Sequence, residues 1–191
     1  MSENFKSKYE VVQIIRDNIL MGLKAFGQPV RESEGDGGWD CIESDQQSFK
    51  NVDKTICINR VKTDRVGWQS AHSEYNPETK KYDITESFIE QQEWQIRVIL
   101  KRNVEPVDGN TVTTEDIAAI LTAWFNRLGC AEFRKHHCAN LFVQSKDIKV
   151  YKDTSDVSQM ITSFPLKLQV PKAFKVEEPS AKPEFKGIKG V

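Results

Sequence analysis

The sequence contains no long apolar run, no excess of one sign of charge and no C-x-x-C pair. No stretch approaches the roughly 18 consecutive apolar residues of a membrane-spanning helix, and the start, MSENFKSKYE, lacks the apolar segment of a signal peptide. The 27 Lys and Arg residues nearly balance the 28 Asp and Glu residues, so no overall field attracts nucleic acid or anionic lipid. The four cysteines are far apart, which favours reduced thiols. We expect a soluble protein made in a cytoplasm, without a membrane partner.

Two segments have the 3.6-residue apolar period of amphipathic helices. Residues 11–26 form the first segment, which follows a capping box of Ser7 and Glu10. Residues 113–128 form the second segment, and Gly129 is predicted as its C-terminal cap. Both helices need an apolar surface against which to pack.

Strands are predicted between and after these helices. A strand that begins near residue 55 leads through a polar turn to a long return strand. Seven apolar residues of the return strand all fall on even positions, as in a strand with one apolar face: Tyr82, Ile84, Phe88, Trp94, Ile96, Val98 and Leu100. Two more strands are predicted at residues 147–151 and 164–170, and Pro165 favours an edge position or unpaired first residues for the latter.

This order predicts an α+β fold, with a mostly antiparallel β-sheet, a long β-hairpin arm and two main helices packed on one face. We expect a single domain over residues 1–170. Residues 171–191 mix Pro, Gly, Lys and Glu without a period, which predicts a flexible C-terminal tail.

The segment CAEFRKHHCAN contains residue types that bind zinc. Cys130, His136, His137 and Cys138 would be its ligands. Their spacing argues against a metal site, because adjacent His and Cys residues rarely bind one ion together and no second C-x-x-C or H-x-x-x-H is present. We therefore predict no metal here, and interpret the segment as a basic turn with ordinary thiols.

Residues 31–48 are acidic and rich in glycine, which predicts a loop or a short exposed strand. Asp36, Asp40, Glu43 and Asp45 are oxygen ligands that suit calcium or magnesium, but their order does not match an EF-hand. The glycines also do not form a phosphate-binding loop between a strand and a helix. We interpret the segment as a solvated connection.

Ser70 and His72 are two residues apart, so they share one face of a predicted strand, and this spacing would place a nucleophile beside its base. No G-x-S-x-G turn is present, and no acidic residue can be assigned to orient the histidine. The sequence therefore predicts no catalytic residue and no cofactor site.

The long hairpin is the remaining feature whose function is not explained by the motifs above. It is too long for a domain of 191 residues to cover, so aromatic side chains such as Trp68, Tyr75, Tyr82 and Phe88 are expected to be exposed. Exposed apolar surface and long strand edges are typical of protein interfaces. We predict that these four residues bind protein, with a second copy of the chain as the first partner.

The order of elements resembles the neck or tail terminator proteins of tailed bacteriophages. It comprises a leading helix, a strand ending in INRV, the segment VGWQSAHSEY, a charged turn, the strand EQQEWQIRVIL and a helix with a Trp-Phe pair. The resemblance covers residues 8–170 and rests on element order and strand character.

This resemblance implies a subunit of a homo-oligomeric ring, usually a hexamer, that caps the tail tube and contacts the head or neck connector. It implies a location in the virion after assembly in the host cytoplasm, without enzyme activity or cofactor. Viral DNA would pass through a central channel without tight or specific binding. Glu86, Glu90 and Glu93 are candidates for the channel lining.

The residues leave three alternatives. A head-completion or tube-like protein is a structural alternative of the same class. A metal-dependent enzyme would use the cluster of His and Cys residues described above. A nucleic-acid-binding module would use a group of basic residues near the second helix: Arg127, Arg134, Lys135, Lys146 and Lys149.

Overall fold

The computed structural model describes residues 6–33, 37–43, 53–78, 81–101, 112–144, 148–152 and 159–177. In chain order the elements are α1 (Lys8–Ala25), β1 (Asp40–Glu43), β2 (Lys54–Asn76), β3 (Lys81–Lys101), α2 (Thr114–Phe125), α3 (Gly129–Lys135), β4 (Ala139–Asn140), β5 (Lys149–Lys152) and β6 (Gln159–Glu177). The described strands form one six-stranded sheet with helices on one face. The predicted α+β fold is confirmed.

α1 begins and ends at the signals that the sequence contains. The Ser7 hydroxyl accepts a hydrogen bond from the Glu10 N–H, and the Glu10 carboxylate accepts one from the Ser7 N–H, which completes the capping box. After the helix, Gly27 has a φ of 69° and the Gln28 N–H donates to the Leu23 carbonyl at 2.9 Å. This is a Schellman motif, in which glycine takes the left-handed conformation without steric cost.

The strand order is β1-β2-β3-β6-β4, and β5 also pairs with β6. β1 runs parallel to β2, and the other pairs are antiparallel. The predicted antiparallel character is therefore confirmed for most of the sheet. β1 comes from the acidic segment, but it is not an exposed strand, because Cys41 and the preceding Trp39 are each only 1% exposed.

The core lies between the helices and one face of the sheet. Side chains alternate along a strand, so every second residue of β3 and β6 faces the helices. On β3 these include Trp94 and Ile96, and on β6 Phe164 and Leu166, all buried. Helix residues that fill the same core are Val11, Ile15, Ile19, Leu23, Ile117, Leu121, Phe125 and Phe133. The expected packing of the helices on one face is confirmed.

The second predicted helix is α2, and α3 follows it where the sequence predicts a basic turn. α2 begins at a capping box of Thr113 and Asp116 and ends at Phe125. Gly129 is not its C-terminal cap but the first residue of α3. A Cβ atom on Gly129 would lie 2.7 Å from the indole of Trp124, so this glycine makes room for a ring rather than ending a helix.

β6 continues to Glu177, past residue 170, where the sequence places the end of the domain. Residues 171–177 pair with residues 83–89 of β3. The strand continues because backbone groups at the edge of β3 gain hydrogen-bond partners along their whole length. Residues 178–191, the rest of the predicted tail, lie outside the described residues.

Pro165 lies inside β6, opposite Gln95 of β3. On the other side of β6, the described pairs with β5 stop at Ser163 and those with β4 begin at Leu168. Pro165 lies between these two groups of pairs, so its missing N–H interrupts no described pair on this side of β6. The prediction of an edge strand is thus wrong for β6 as a whole, although Pro165 has a local edge position.

Candidate interaction surface

Beyond the part of the sheet that the helices cover, β2, β3 and β6 continue together as a three-stranded extension. We call it the arm and define it as residues 66–76, 81–89 and 171–177. Its length is roughly 30 Å, because the β3 part rises about 3.3 Å per residue. The predicted arm is therefore present, with β6 as a third strand.

The arm has two faces. β3 pairs with β6 without a register shift, so the even-numbered residues of β3 stay on the side of the core residue Trp94 and the odd-numbered residues lie on the other side. We call these sides the helix-side face and the outer face. Cross-strand partners share a face, which assigns the residues of β2 and β6 as well.

The tip of the arm presents two tyrosines on the helix-side face. Tyr75 and Tyr82 are register partners, and their rings meet edge to face with centroids 5.3 Å apart. They are 51% and 53% exposed. An exposed pair of large amphipathic rings is typical of a protein interface, and the role of these residues in binding stays a prediction.

Phe88 lies on the same face, closer to the core, and is partly buried. The Arg65 guanidinium lies 4.4 Å from the centroid of its ring, in a cation–π contact. Arg65 therefore covers part of the ring that the sequence suggested as exposed. Phe88 offers less free surface than the two tyrosines do.

Trp68 lies in a bulge of β2. Three residues, 67–69, face the single residue Phe88 of β3, and Gly67 has a φ of 83°. Glycine takes this conformation without strain, so it allows the strand to bend there. The side chain of Trp68 lies outside the described part of the structure.

The bulge opens an apolar groove on the outer face. Val66, Ile89 and Pro171 are register partners across the three strands, and with Gly67 and Ala173 they line a groove of about 500 Å³. Val66 is 37% and Ile89 44% exposed. The even-numbered apolar pattern of β3 does not reveal this surface, and the odd-numbered Ile89 is the sequence signal for the outer face.

The three glutamates predicted for a channel lining do not share a surface. Glu86 and Glu90 lie on the helix-side face, and Glu93 lies on the outer face. Glu90 is 3.9 Å from the Nζ of Lys172, and Glu93 is 3.8 Å from the Nζ of Lys167. The charges of these two glutamates are therefore partly balanced within the chain.

A cluster of polar side chains lies at the base of the arm, where the arm joins the rest of the sheet. The Nζ of Lys172, a residue only 5% exposed, donates to the backbone carbonyl of Lys6 and faces Glu90. Gln92 donates to Glu90 at 2.9 Å and accepts a hydrogen bond from the indole N–H of Trp94 at 3.2 Å. Because a buried ammonium is costly without partners, these contacts fix the arm to the segment before α1.

The His and Cys residues of the basic segment lie in α3 and in the turn that follows it. Cys130 is on its first turn and donates to the Arg127 carbonyl, whereas Cys138 is buried after the helix. Burial raises the pKa of the Cys138 thiol, which disfavours the thiolate that zinc binds. His136 and His137 lie in the turn between them. Within the described ranges, no group of three or more His, Cys, Asp or Glu side chains is placed to hold a metal ion.

Part of the acidic segment forms the strand β1. Asp40 and Glu43 are the two ends of β1, and Glu43 forms an ion pair of 2.5 Å with Lys8 of α1. Asp36 and Asp45 lie outside the described residues. Asp40 and Glu43 therefore belong to a strand, and Glu43 fixes this strand to α1.

Ser70 and His72 both lie on the outer face of the arm. The Ser70 hydroxyl shares a 2.6 Å hydrogen bond with the hydroxyl of Ser87, its partner on β3. His72 is exposed beside Thr85. The described contact of Ser70 is thus a cross-strand bond between two hydroxyls, as in an ordinary strand pair.

The basic residues considered for nucleic acid lie on different elements. Arg127 precedes α3, Arg134 and Lys135 are in its last turn, and Lys149 begins β5. Lys146 lies outside the described residues.

Among the described residues, no helix is both long and apolar enough to cross a membrane.

A sequence profile of the family described as "E217 gateway protein gp29" matches residues 10–168, which extend from α1 into β6. No curated protein matches the chain. The profile covers most of the chain, including the β2 and β3 parts of the arm, and it agrees with the resemblance to phage neck proteins. The chain therefore belongs to the E217 gateway protein gp29 family, a family of bacteriophage structural proteins of the head–tail gateway.

Proposed function

We propose that the chain is the subunit of a homohexameric ring that terminates the tail tube and joins it to the head or neck connector. Its partners in the virion are further copies of itself, the tail tube protein and the connector proteins. Viral DNA passes through the centre of the ring without tight or specific binding. Assembly takes place in the host cytoplasm, and the function includes no enzymatic step and no cofactor.

The arm is the observation that carries this proposal. It extends roughly 30 Å at about 3.3 Å per residue, and it exposes Tyr75 and Tyr82 at its tip and Val66 and Ile89 in its groove. A chain that functions alone gains nothing from exposing these side chains, since apolar surface in water is unfavourable by about 25 cal/mol per Å². Contact with other subunits removes that cost.

The two apolar surfaces of the arm favour a ring over a two-fold dimer. The tyrosine pair lies on the helix-side face and the groove on the outer face, so they are different patches of one chain. A two-fold dimer buries the same patch on both copies. A contact between two different patches repeats from copy to copy, and it closes a ring when the rotation allows.

The first experiment is the native mass of the purified protein, combined with negative-stain images. A closed ring of six copies is the expected result. A monomer at all concentrations overturns the ring, and stacked tubes point to a tube-like subunit instead.

The second experiment tests the tip. Replacing Tyr75 and Tyr82 by Ser removes the exposed aromatic pair without touching the core, and we expect the native mass to shift from the ring toward the monomer. The matched control is Tyr9→Ser, because Tyr9 is 75% exposed on α1, outside the arm. A double variant that assembles as well as the control does would show that the tip is not an interface.

A further inference from the structure

Both edges of the arm lack a described neighbour. β1 pairs with β2 only from Thr55 to Ile58, and β4 pairs with β6 only up to Gln169. Beyond these points, the described structure has no strand beside residues 59–76 of β2 or residues 170–177 of β6. Within residues 70–74 and 173–177, each open edge presents backbone N–H and C=O groups to which a further strand can pair.

In the outer half of the arm, the β2 edge lacks the usual protection of an edge strand, and the β6 edge is protected only by charged residues. Natural sheets protect edges with bulges, prolines and charges. The two bulges of β2 lie before Ser70, and residues 70–76 follow in unbroken register. Residues 70–73 (SAHS) contain no charged residue and no Pro, and residues 173–177 (AFKVE) contain Lys175 and Glu177 but no Pro and no described bulge. These two stretches are regular templates for strand pairing.

The two templates match in position and direction. Through β3, residues 70–74 of β2 align with residues 173–177 of β6. Both strands are antiparallel to β3, so they run parallel to each other. Copies related by rotation about an axis along the arm keep this direction, so β6 of one copy can lie parallel to β2 of the next.

A second copy satisfies this arrangement better than a foreign strand does. A single added strand pairs with one edge and leaves the other edge open. In a closed ring, each copy gives one edge to each neighbour, and no edge of the arm is left unpaired.

We propose that residues 173–177 of one copy pair in parallel with residues 70–74 of the next copy, so that the arms form one continuous inter-subunit sheet. This inference rests on the proposed ring. It assigns the contact between neighbours to backbone hydrogen bonds of the two edges, while the side chains of the tip and groove add apolar contacts.

The test blocks each edge with proline, which removes a backbone donor. Neighbouring residues of a strand direct their N–H groups to opposite edges. One member of the pair His72→Pro and Ser73→Pro therefore blocks the open edge of β2, and the other disrupts the ladder with β3. Lys175→Pro and Val176→Pro form the same matched pair on β6. Circular dichroism and thermal melting identify the member of each pair that keeps the wild-type fold.

The informative step is mixing. Each edge-blocked variant alone is expected to change from a ring to a monomer in native mass. A 1:1 mixture of a β2-blocked and a β6-blocked variant is expected to give dimers and nothing larger, because each pair of chains retains one intact contact.

The outcomes separate this inference from the proposed function. A wild-type monomer overturns the ring and this inference with it. A wild-type ring with folded edge-blocked variants that still form rings overturns the edge pairing alone. A β2-blocked variant that dimerises by itself would also contradict it, because β6 edges would then pair with each other.

Discussion

The indole ring of Trp124 is held in place by close contacts with α1 and α3. Its indole N–H donates to the side-chain oxygen of Asn18 at 2.6 Å, and the Asn18 amide donates to the Gly129 carbonyl at 2.9 Å. Cβ atoms on Gly22 and Gly129 would lie 2.8 and 2.7 Å from the indole. Two glycines and one asparagine thus create a slot that joins α1, α2 and α3.

Gly22→Ala tests this slot. Alanine in a helix interior is favoured over glycine by about 1 kcal/mol, whereas overpacking a core costs about 1–3 kcal/mol. Because the Cβ atom would lie 2.8 Å from a ring held by a hydrogen bond, we expect the clash to outweigh the gain and urea denaturation to show a net loss of up to about 2 kcal/mol. Gly37→Ala, with no atom within 4 Å of the added Cβ, is the control. A stabilised Gly22→Ala protein would mean that Trp124 moves freely.

Asp116 gives the molecule a specific response to acid. Its hydrogen bonds from the Thr113 side chain and backbone hold the pKa of this carboxyl below its usual value. A lowered pKa in the folded state means that the stabilisation is present above the unfolded pKa and is lost as the pH falls through the folded pKa. We expect Asp116→Asn to flatten the decrease in unfolding free energy on the acid side. Glu115→Gln, which changes the neighbouring first-turn acid, is the control, and equal slopes for both variants would contradict the cap.

At the scale of elements, periods and caps were readable from the sequence, but contacts between distant segments were not. Local signals predict three of the elements. The capping boxes predict the starts of α1 and α2, Gly27 predicts the end of α1, and the alternation from Trp94 to Leu100 predicts β3. The continuation of β6 was not predicted, because Pro171 and Lys172 interrupt its apolar pattern and the gain comes from pairing with a distant strand. The bulges of β2 are likewise fixed by its partner.

The candidate site was predictable only in part for the same reason. The aromatic residues identified the arm, and the structure places Tyr75 and Tyr82 at its exposed tip. The outer groove and the open edges depend on which residues lie opposite each other across three strands. A single sequence does not contain that register.

Truncation tests the contribution of β6 to the arm. A chain ending at Val170 loses the strand that pairs with residues 83–89 of β3, whereas a chain ending at Glu177 keeps every described pair. We expect the shorter chain to unfold at lower urea and to aggregate more readily, because β3 becomes an open edge. The longer chain should melt like the full-length protein. Equal stability of the two truncated chains would show that residues 171–177 add nothing to the fold.

At the scale of the whole molecule, the sheet has a face covered by helices and a face that the described chain leaves uncovered. The uncovered face carries Glu93, Gln95, Lys149 and Lys167 around an open groove of about 320 Å³. Both signs of charge are present there, and Glu93 lies 3.8 Å from the Nζ of Lys167. The whole chain has a net charge of −1, so it creates no strong overall field for DNA.

A ring through which DNA slides must not hold it, because each phosphate contact with Lys or Arg adds to affinity, with a salt slope of roughly −0.9 per contact. We expect the assembled protein to bind duplex DNA with a dissociation constant of roughly 10⁻⁴ to 10⁻⁶ M or weaker in fluorescence anisotropy. Glu93→Lys and Glu86→Lys add the same charge to opposite faces. Only the variant whose face lines the channel should bind DNA more tightly inside the ring and with a steeper salt dependence. Nanomolar, sequence-specific binding by the unchanged protein would contradict a passive channel.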